Sequence, residues 1–244
     1  MFSNFQFLFL LFALIAEIIG TVGGFGSSVF FVPIANFYFD FQTVLGITAV
    51  FHLSSNISKI ALFRKGLDKK LLLNIGLPSV IFVVAGAVAS KYFSTVYLET
   101  ALGIFLIVLS IVFLINKKLV IKQGKKESII GGSLSGFIAG LLGTGGAIRG
   151  LTMAAFNLEK SVFVATSAFI DFGVDFTRTI VYFFNGYIKQ QTLIYIPFLL
   201  LIGYLGTYIG RYLLTFISQE NFKKISLLLI LIIGLLTLIK VNLV

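Results

Sequence analysis

Gly20-Thr-Val-Gly-Gly-Phe-Gly-Ser-Ser28 breaks an apolar run that starts at Phe5, and Gly143-Thr-Gly-Gly146 breaks a second that starts at Ile129. Clustered glycines stop a helix because glycine loses the most backbone freedom on entering one. Their surroundings decide what they interrupt. Hydrophobic residues make up 58% of the 244-residue chain, charged residues 11%, and the mean hydropathy is +1.06. Soluble domains carry about 25% charged residues, so this supply cannot build a water-facing surface. Apolar runs near the ~20 residues of a bilayer-crossing helix recur from end to end. The breaks therefore lie at membrane depth in an all-α polytopic membrane protein. There, irregular backbone is tolerated only against protein, water or ligand.

Working outward, Phe5–Ile19 precedes the first break and a shorter apolar piece, Val29–Phe39, follows it. Helices are expected at Thr43–Leu62, Leu71–Ser90 and Leu98–Ile115. A basic linker, residues 116–127, comes next, and then the order recurs. Ile129–Leu142, the second break and Ile148–Phe156 lead to helices at Ser161–Phe184, Leu193–Leu214 and Phe222–Ile239. Residues 1–244 read as a single transmembrane domain, with repeat one over 1–115 and repeat two over 128–244. The halves align without gaps at an offset of 120. Gly20, Gly23, Gly26, Gly66 and Gly86 meet Gly140, Gly143, Gly146, Gly186 and Gly206; Ile60, Phe63, Lys91 and Tyr92 meet Ile180, Phe183, Arg211 and Tyr212. Shared helix-packing glycines explain fewer of these coincidences than duplication does.

Two topologies fit this order. Either each broken segment crosses the bilayer, giving eight crossings and parallel repeats, or each is a re-entrant hairpin, leaving three crossings per repeat and inverted halves. Basic residues gather on the cytoplasmic side of a membrane. The hairpin arrangement puts Arg64, Lys65, Lys69, Lys70, the five linker lysines, Lys160, Arg211, Lys223 and Lys224 on one side. Only Lys91, Lys189 and Lys240 lie opposite. Crossing segments mix the same loops more evenly, so the hairpins are favoured. The first basic residue is Lys59, too late for the charged start of a cleaved signal peptide. The formal net charge of +10 reads as basic loops beside lipid rather than nucleic-acid binding. Cysteine is absent and His52 is the single histidine, which excludes disulfides, thiolate chemistry and multi-histidine metal sites.

Each break precedes a short helix whose exposed amides and positive dipole end favour an anion. Gly23, Gly24, Gly26, Ser27 and Ser28 stand at one, Gly143, Thr144, Gly145 and Gly146 at the other. A small anionic substrate is expected where the two converge. Packing notches are the bland alternative, weaker for two clusters in register than for one. In the next helix of repeat one, His52, Ser55, Asn56 and Lys59 share a face, as do Asp171, Asp175, Arg178 and Tyr182 in repeat two. Charges in hydrocarbon face a cavity, a partner or a transport path. Asp175 with Arg178, or Asp171 with Lys59, would make structural bridges as readily as a site, and Lys59 would equally well snorkel towards the loop at Arg64. Arg149 opens the second short helix, placed to clamp an anion with its planar fork or to meet lipid headgroups. Glu17 has no local partner; it is either buried and protonated or a carrier of a coupling proton. Ser27 or Ser28 with His52 is a weak hydrolase signal.

The first break continues as Val-Phe-Phe-Val-Pro33, and the polar helix after it ends at Arg64-Lys-Gly-Leu-Asp68. The second copy reads Gly136-Phe-Ile-Ala-Gly-Leu-Leu-Gly-Thr-Gly-Gly146 and closes at Asn185-Gly186. In this order, over nearly the whole chain, the sequence resembles the sulfite exporter TauE/SafE family, also called the toluenesulfonate uptake permease family. The resemblance implies a permease of a bacterial or archaeal cytoplasmic membrane that moves sulfite, thiosulfate, sulfoacetate or another sulfonate. Met153 stands where repeat one has Pro33, and Arg149 comes three residues after the last glycine of the break; the resemblance makes both departures from the family's usual pattern, and both bear on which anion is carried. No Gly-x-x-x-x-Gly-Lys motif for ATP is present, and no cofactor is expected. The leading expectation is a secondary transporter with a midplane site at the repeat interface, coupled to a proton or cation. Its rivals are a passive pore for small anions or neutral solutes and an intramembrane enzyme.

Overall fold

The computed structural model describes residues 4–23, 26–63, 66–116, 121–213, 216 and 219–243; Gly24, Arg64, Lys65, Lys117 and Lys118 lie outside them. Among the described residues the chain is helical and has no strand. Its elements are α1 (Asn4–Gly23), α2 (Ser28–Ala35), α3 (Phe41–Leu62), α4 (Lys69–Tyr92) and α5 (Thr95–Ile115), then α6 (Lys125–Leu142), α7 (Gly146–Ala154), α8 (Lys160–Phe184), α9 (Gln190–Leu213) and α10 (Gln219–Leu243). By length and composition α3, α4, α5, α9 and the Lys224–Asn242 part of α10 are able to cross a membrane.

Side chains at the turns set some of the starts. Asp40 caps α3 by accepting from Thr43 N (3.0 Å), and Asp68 caps α4 by accepting from Leu71 N (3.0 Å). Early in α4 the helix widens to a π turn over Leu72–Gly76, directly before Pro78. Proline lacks an N–H and crowds the carbonyl four residues back, and the wider turn relieves both. The linker is shorter than expected because α6 begins at Lys125, with Glu127 in its first turn favoured by the helix dipole.

The first break is also shorter than its glycines imply. α1 continues to Gly23, and Gly20 is a packing notch within it. A Cβ on Gly20 would stand 2.2 Å from Ser27 Cα, so glycine there lets the chain fold back. Gly26 and Gly143 make the turns, with φ of 82° and 77° that disfavour any residue bearing a Cβ.

Contacts at the ends fix the directions. Phe9, early in α1, packs on Tyr38 and Phe39 beyond α2 and on Tyr195 in α9. α2 thus returns to the end where α1 began. Thr152 of α7 lies against Gly131 near the start of α6, so the second break does the same. Lys189 Nζ meets Asp40 Oδ2 at 2.7 Å, and Lys240 Nζ reaches Asn36 O at 2.5 Å and Glu99 Oε1 at 3.5 Å. The starts of α3, α5 and α9 and the end of α10 therefore share the end of the molecule where α1 starts. Asp68 N donates to Thr166 Oγ1 (3.0 Å), which places the starts of α4 and α8 together at the other.

Lipid supplies no hydrophobic force between helices, so close backbone approach has to hold them. Along α6, a Cβ on Gly132, Gly136 or Gly140 would stand 2.4, 2.1 or 2.2 Å from the carbonyl oxygens of Ile75, Ser79 and Val83 of α4. Gly206 and Gly210 of α9 receive Glu17 and Thr21 of α1 in the same way. The packing partners exchange between halves: α6 lies on α4 as α1 lies on α9, and α8 lies on α4 as α3 lies on α9, while α3 with α8 and α5 with α10 pair across the middle. Ile81, Val108, Leu201 and Ile232 are exposed on the outer helices, forming the apolar face that lipid covers.

Candidate substrate site

The two breaks meet at the centre. A Cβ on Gly26 would lie 3.8 Å from Gly146 Cα, and Ser28 Oγ donates to Thr144 Oγ1 at 3.2 Å. The first helical hydrogen bonds of α2 and α7 are given by Phe30 to Ser27 O and by Ile148 to Gly145 O. The N–H groups of Ser28 and Val29, and of Gly146 and Ala147, precede them at the positive helix ends. Between the ends lies a cavity of about 30 Å³, bounded by Gly26, Ser27, Ser28, His52, Asn56, Lys59, Ala139, Gly143, Gly145, Gly146, Asp171, Val174, Asp175 and Arg178. That is room for one or two waters.

Arg178, 2% exposed, organises one wall. Its Nε donates to Asp175 Oδ1 (2.8 Å), Nη1 to the carbonyls of Ala139 (3.1 Å) and Gly143 (2.8 Å), and Nη2 to Asp175 Oδ1 (2.7 Å) and His52 Nδ1 (3.4 Å). Ala139 and Gly143 stand at the C-terminal end of α6, where unpaired carbonyls and the dipole favour a cation. Asp175 Oδ2 accepts from Asn56 Nδ2 at 2.6 Å, tying α3 to α8. Tyr182 donates to Gly140 O at 2.6 Å and supports the same helix end.

His52 is oriented by this network. A guanidinium only donates, so Nδ1 accepts from Arg178 and the proton sits on Nε2, which donates to Ser27 Oγ (3.0 Å). A general base for a serine nucleophile needs the opposite arrangement, with a ring nitrogen accepting from the hydroxyl. The hydrolase reading finds no support in this geometry.

Arg149 stands behind the cavity wall. Its fork grips Asp171 through both Nη atoms, and Nε donates to Ser167 Oγ at 3.1 Å. The fork expected to face an anion is therefore filled by a carboxylate of α8. Lys59 does not pair with Asp171 and does not snorkel outward. Its Nζ turns inward to Glu17 Oε1 (2.9 Å) and Ser55 Oγ (2.7 Å). Sequence reading missed this partnership, because the two residues share no helical spacing; the packing of both α1 and α3 on α9 brings them together. Ser55 serves that pair and does not line the cavity, Gly23 ends α1, and Gly24 lies outside the described residues.

A family model described as sulfite exporter TauE/SafE matches residues 9–237. The chain belongs to the sulfite exporter TauE/SafE family. It is also similar, at 28% identity over 187 residues, to a probable membrane transporter protein of Methanocaldococcus jannaschii, with 66% of this chain and 69% of that one covered. No solved structure matches. Family and helices together make this TauE/SafE protein a multi-pass cell-membrane transporter rather than an enzyme.

Proposed function

We propose that this TauE/SafE protein carries a small sulfur-containing anion, such as sulfite, thiosulfate, sulfoacetate or another sulfonate, through the central cavity by alternating access. The observation that carries this reading is the meeting of two helix N-termini, α2 and α7, across one cavity. The buried ionic groups cancel: Lys59, Arg149 and Arg178 each hold one carboxylate, Glu17, Asp171 and Asp175 respectively. What they leave uncancelled is the positive potential of the two helix ends, which favours an anion. A four-atom oxyanion exceeds a cavity of about 30 Å³, so loading it requires the walls to part.

In the same reading residues 1–115 and 128–244 are inverted homologous repeats, each a re-entrant hairpin (α1–α2 or α6–α7) followed by three crossings. Four observations support it. The aligned glycines recur at a fixed offset; each hairpin returns to its own end; the packing partners exchange between halves; and α1 and α6 start at opposite ends. Inverted repeats with broken helices build midplane sites in many secondary transporters.

Uptake of radiolabelled thiosulfate, sulfite and sulfoacetate into proteoliposomes tests the proposal. Saturable uptake of one of them, accelerated by the unlabelled anion inside and rising above the outside concentration under an ion gradient, is expected. Linear flux that stops at equilibrium, without acceleration from inside, would replace the transporter by a pore.

A further inference from the structure

Glu17 is fully buried and its two oxygens are treated unequally. Oε1 receives Lys59 Nζ (2.9 Å), Ser55 Oγ (2.5 Å), Thr21 Oγ1 (3.2 Å) and Thr207 Oγ1 (3.1 Å). Oε2 is buried without any hydrogen-bond partner. A buried carboxylate with a bare oxygen is tolerated while an ammonium neutralises it, and is very costly once that ammonium leaves.

Of the three buried cations among the described residues, Lys59 is the one free to leave. Arg178 has its donors committed to Asp175, His52 and two carbonyls, and Arg149 holds Asp171 by both arms of its fork. Lys59 is a point charge on a flexible stem, and it already borders the cavity as well as Glu17. An anion entering the cavity competes with Glu17 for it.

We propose that Lys59 exchanges Glu17 for the bound anion, and that Glu17, left without its counter-charge, takes up a proton on Oε2, so that anion and proton are carried together. This rests on the anion-transport reading above and names its coupling ion. The balance is this: the Lys59 ammonium keeps its protons and one proton from water adds to the Glu17 carboxylate, so a monovalent anion enters without a net buried charge, while a divalent one leaves a single negative charge against the two positive helix ends. Among the described residues no other cation is bonded to Glu17. α2 has no charged residue, α9 presents Thr207 there while its Arg211 lies over the Phe63 ring, and α3 presents Ser55 besides Lys59 itself. Of the charged groups whose side chains are described on α10, Lys224 is exposed and Lys240 reaches Glu99. Asp171 and Asp175 also face the cavity, held by Arg149 and Arg178, and are the other carboxylates able to take a proton there, which the Glu17→Gln variant separates from Glu17.

The test is proton uptake on binding. The detergent-purified full chain, in weakly buffered solution near neutral pH, is titrated with thiosulfate, methanesulfonate and sulfoacetate, none of which takes up a proton there. Bound anion is measured by equilibrium dialysis and proton uptake by a pH indicator. Close to one proton taken up per anion bound is expected for the wild-type chain. Glu17→Gln is expected to bind with no uptake, and a protonated-carboxyl band in the anion-induced infrared difference spectrum should vanish in Glu17→Gln and shift in Glu17→Asp. Binding by the wild-type chain without proton uptake overturns this inference alone, and so does unchanged uptake in Glu17→Gln. Absence of binding for all three anions overturns it together with the reading beneath it. Since the wild-type stoichiometry is read first, a Glu17 variant that fails to fold still leaves the inference refutable.

Discussion

Replacing Arg178 with methionine removes the group that holds the cavity wall together, and its cost follows from what is left behind. Asp175 loses both guanidinium contacts and keeps only Asn56, while the carbonyls of Ala139 and Gly143 lose their shared donor. Removing one partner of a buried ion pair costs about 3–5 kcal/mol, because the remaining charge is uncompensated. The bared Gly143 carbonyl pushes the figure towards the upper end, since an unmet buried group costs about 1–3 kcal/mol and such terms do not add fully; Ala139 O keeps Gly143 N (3.1 Å) and the Tyr182 hydroxyl (3.3 Å). For a chain of this size about 2–4 °C is lost per kcal/mol, so Arg178→Met should melt about 6–20 °C lower. The chain contains no tryptophan, and the far-ultraviolet helix signal in detergent is the suitable probe. The double variant Asp175→Asn/Arg178→Met removes the stranded charge and should recover a large part of the loss. A single variant as stable as the wild type, or a double variant no better than the single, would refute the reasoning.

Other consequences can be checked the same way. Gly136→Ala puts a methyl 2.1 Å from Ser79 O and should cost about 1–3 kcal/mol through overpacking, whereas Gly76→Ala meets only the Ile170 side chain at 3.2 Å and should cost less in the same melts. Arg149→Lys keeps the charge but loses the two-armed grip on Asp171; a loss of about 1.5–3 kcal/mol, the worth of one charged hydrogen bond, is expected by thermal unfolding. Burial pushes the Asp40 carboxyl up, but the hydrogen bonds from Lys189 and Thr43 outweigh it and hold its pKa below the usual value. Its contribution is therefore present above the ordinary aspartate range and lost as pH falls through the depressed value. Asp40→Asn should flatten the acid limb of the stability profile, by a small amount because the pair is half exposed.

The helices were legible in the sequence because hydropathy acts locally: the apolar runs from Thr43, Leu71 and Leu98 are each helical, and capping by Asp40, Asp68 and Ser94 starts them two or three residues earlier. Break boundaries were less so. Gly20 and Gly23 read as part of a break, yet they sit in α1, since a glycine that admits Ser27 in packing looks the same in sequence as one that ends a helix. Arg178 with Asp175 was readable, being three residues apart on one face. Glu17 with Lys59 and Arg149 with Asp171 join different helices, and the repeat gives no help. At the offset of 120, Lys59 meets Thr179, Glu17 meets Phe137 and Asp171 meets Phe51. None of these paired charges meets a charge in the other half.

The central claim is that the two breaks form one anion site, and the most direct measurement is thermal stability of the purified protein against sulfite, thiosulfate, sulfate, sulfoacetate, taurine and chloride. A ligand at a hundredfold excess over its Kd stabilises by about 2.7 kcal/mol. One sulfur anion should raise the melting temperature where chloride does not, and the rise should be lost when Gly26 or Gly146, whose backbones meet across the cavity, is replaced by valine in a chain that still folds. A folded protein whose melting is moved by none of these anions, or by the same anion equally in the valine variants, would contradict it.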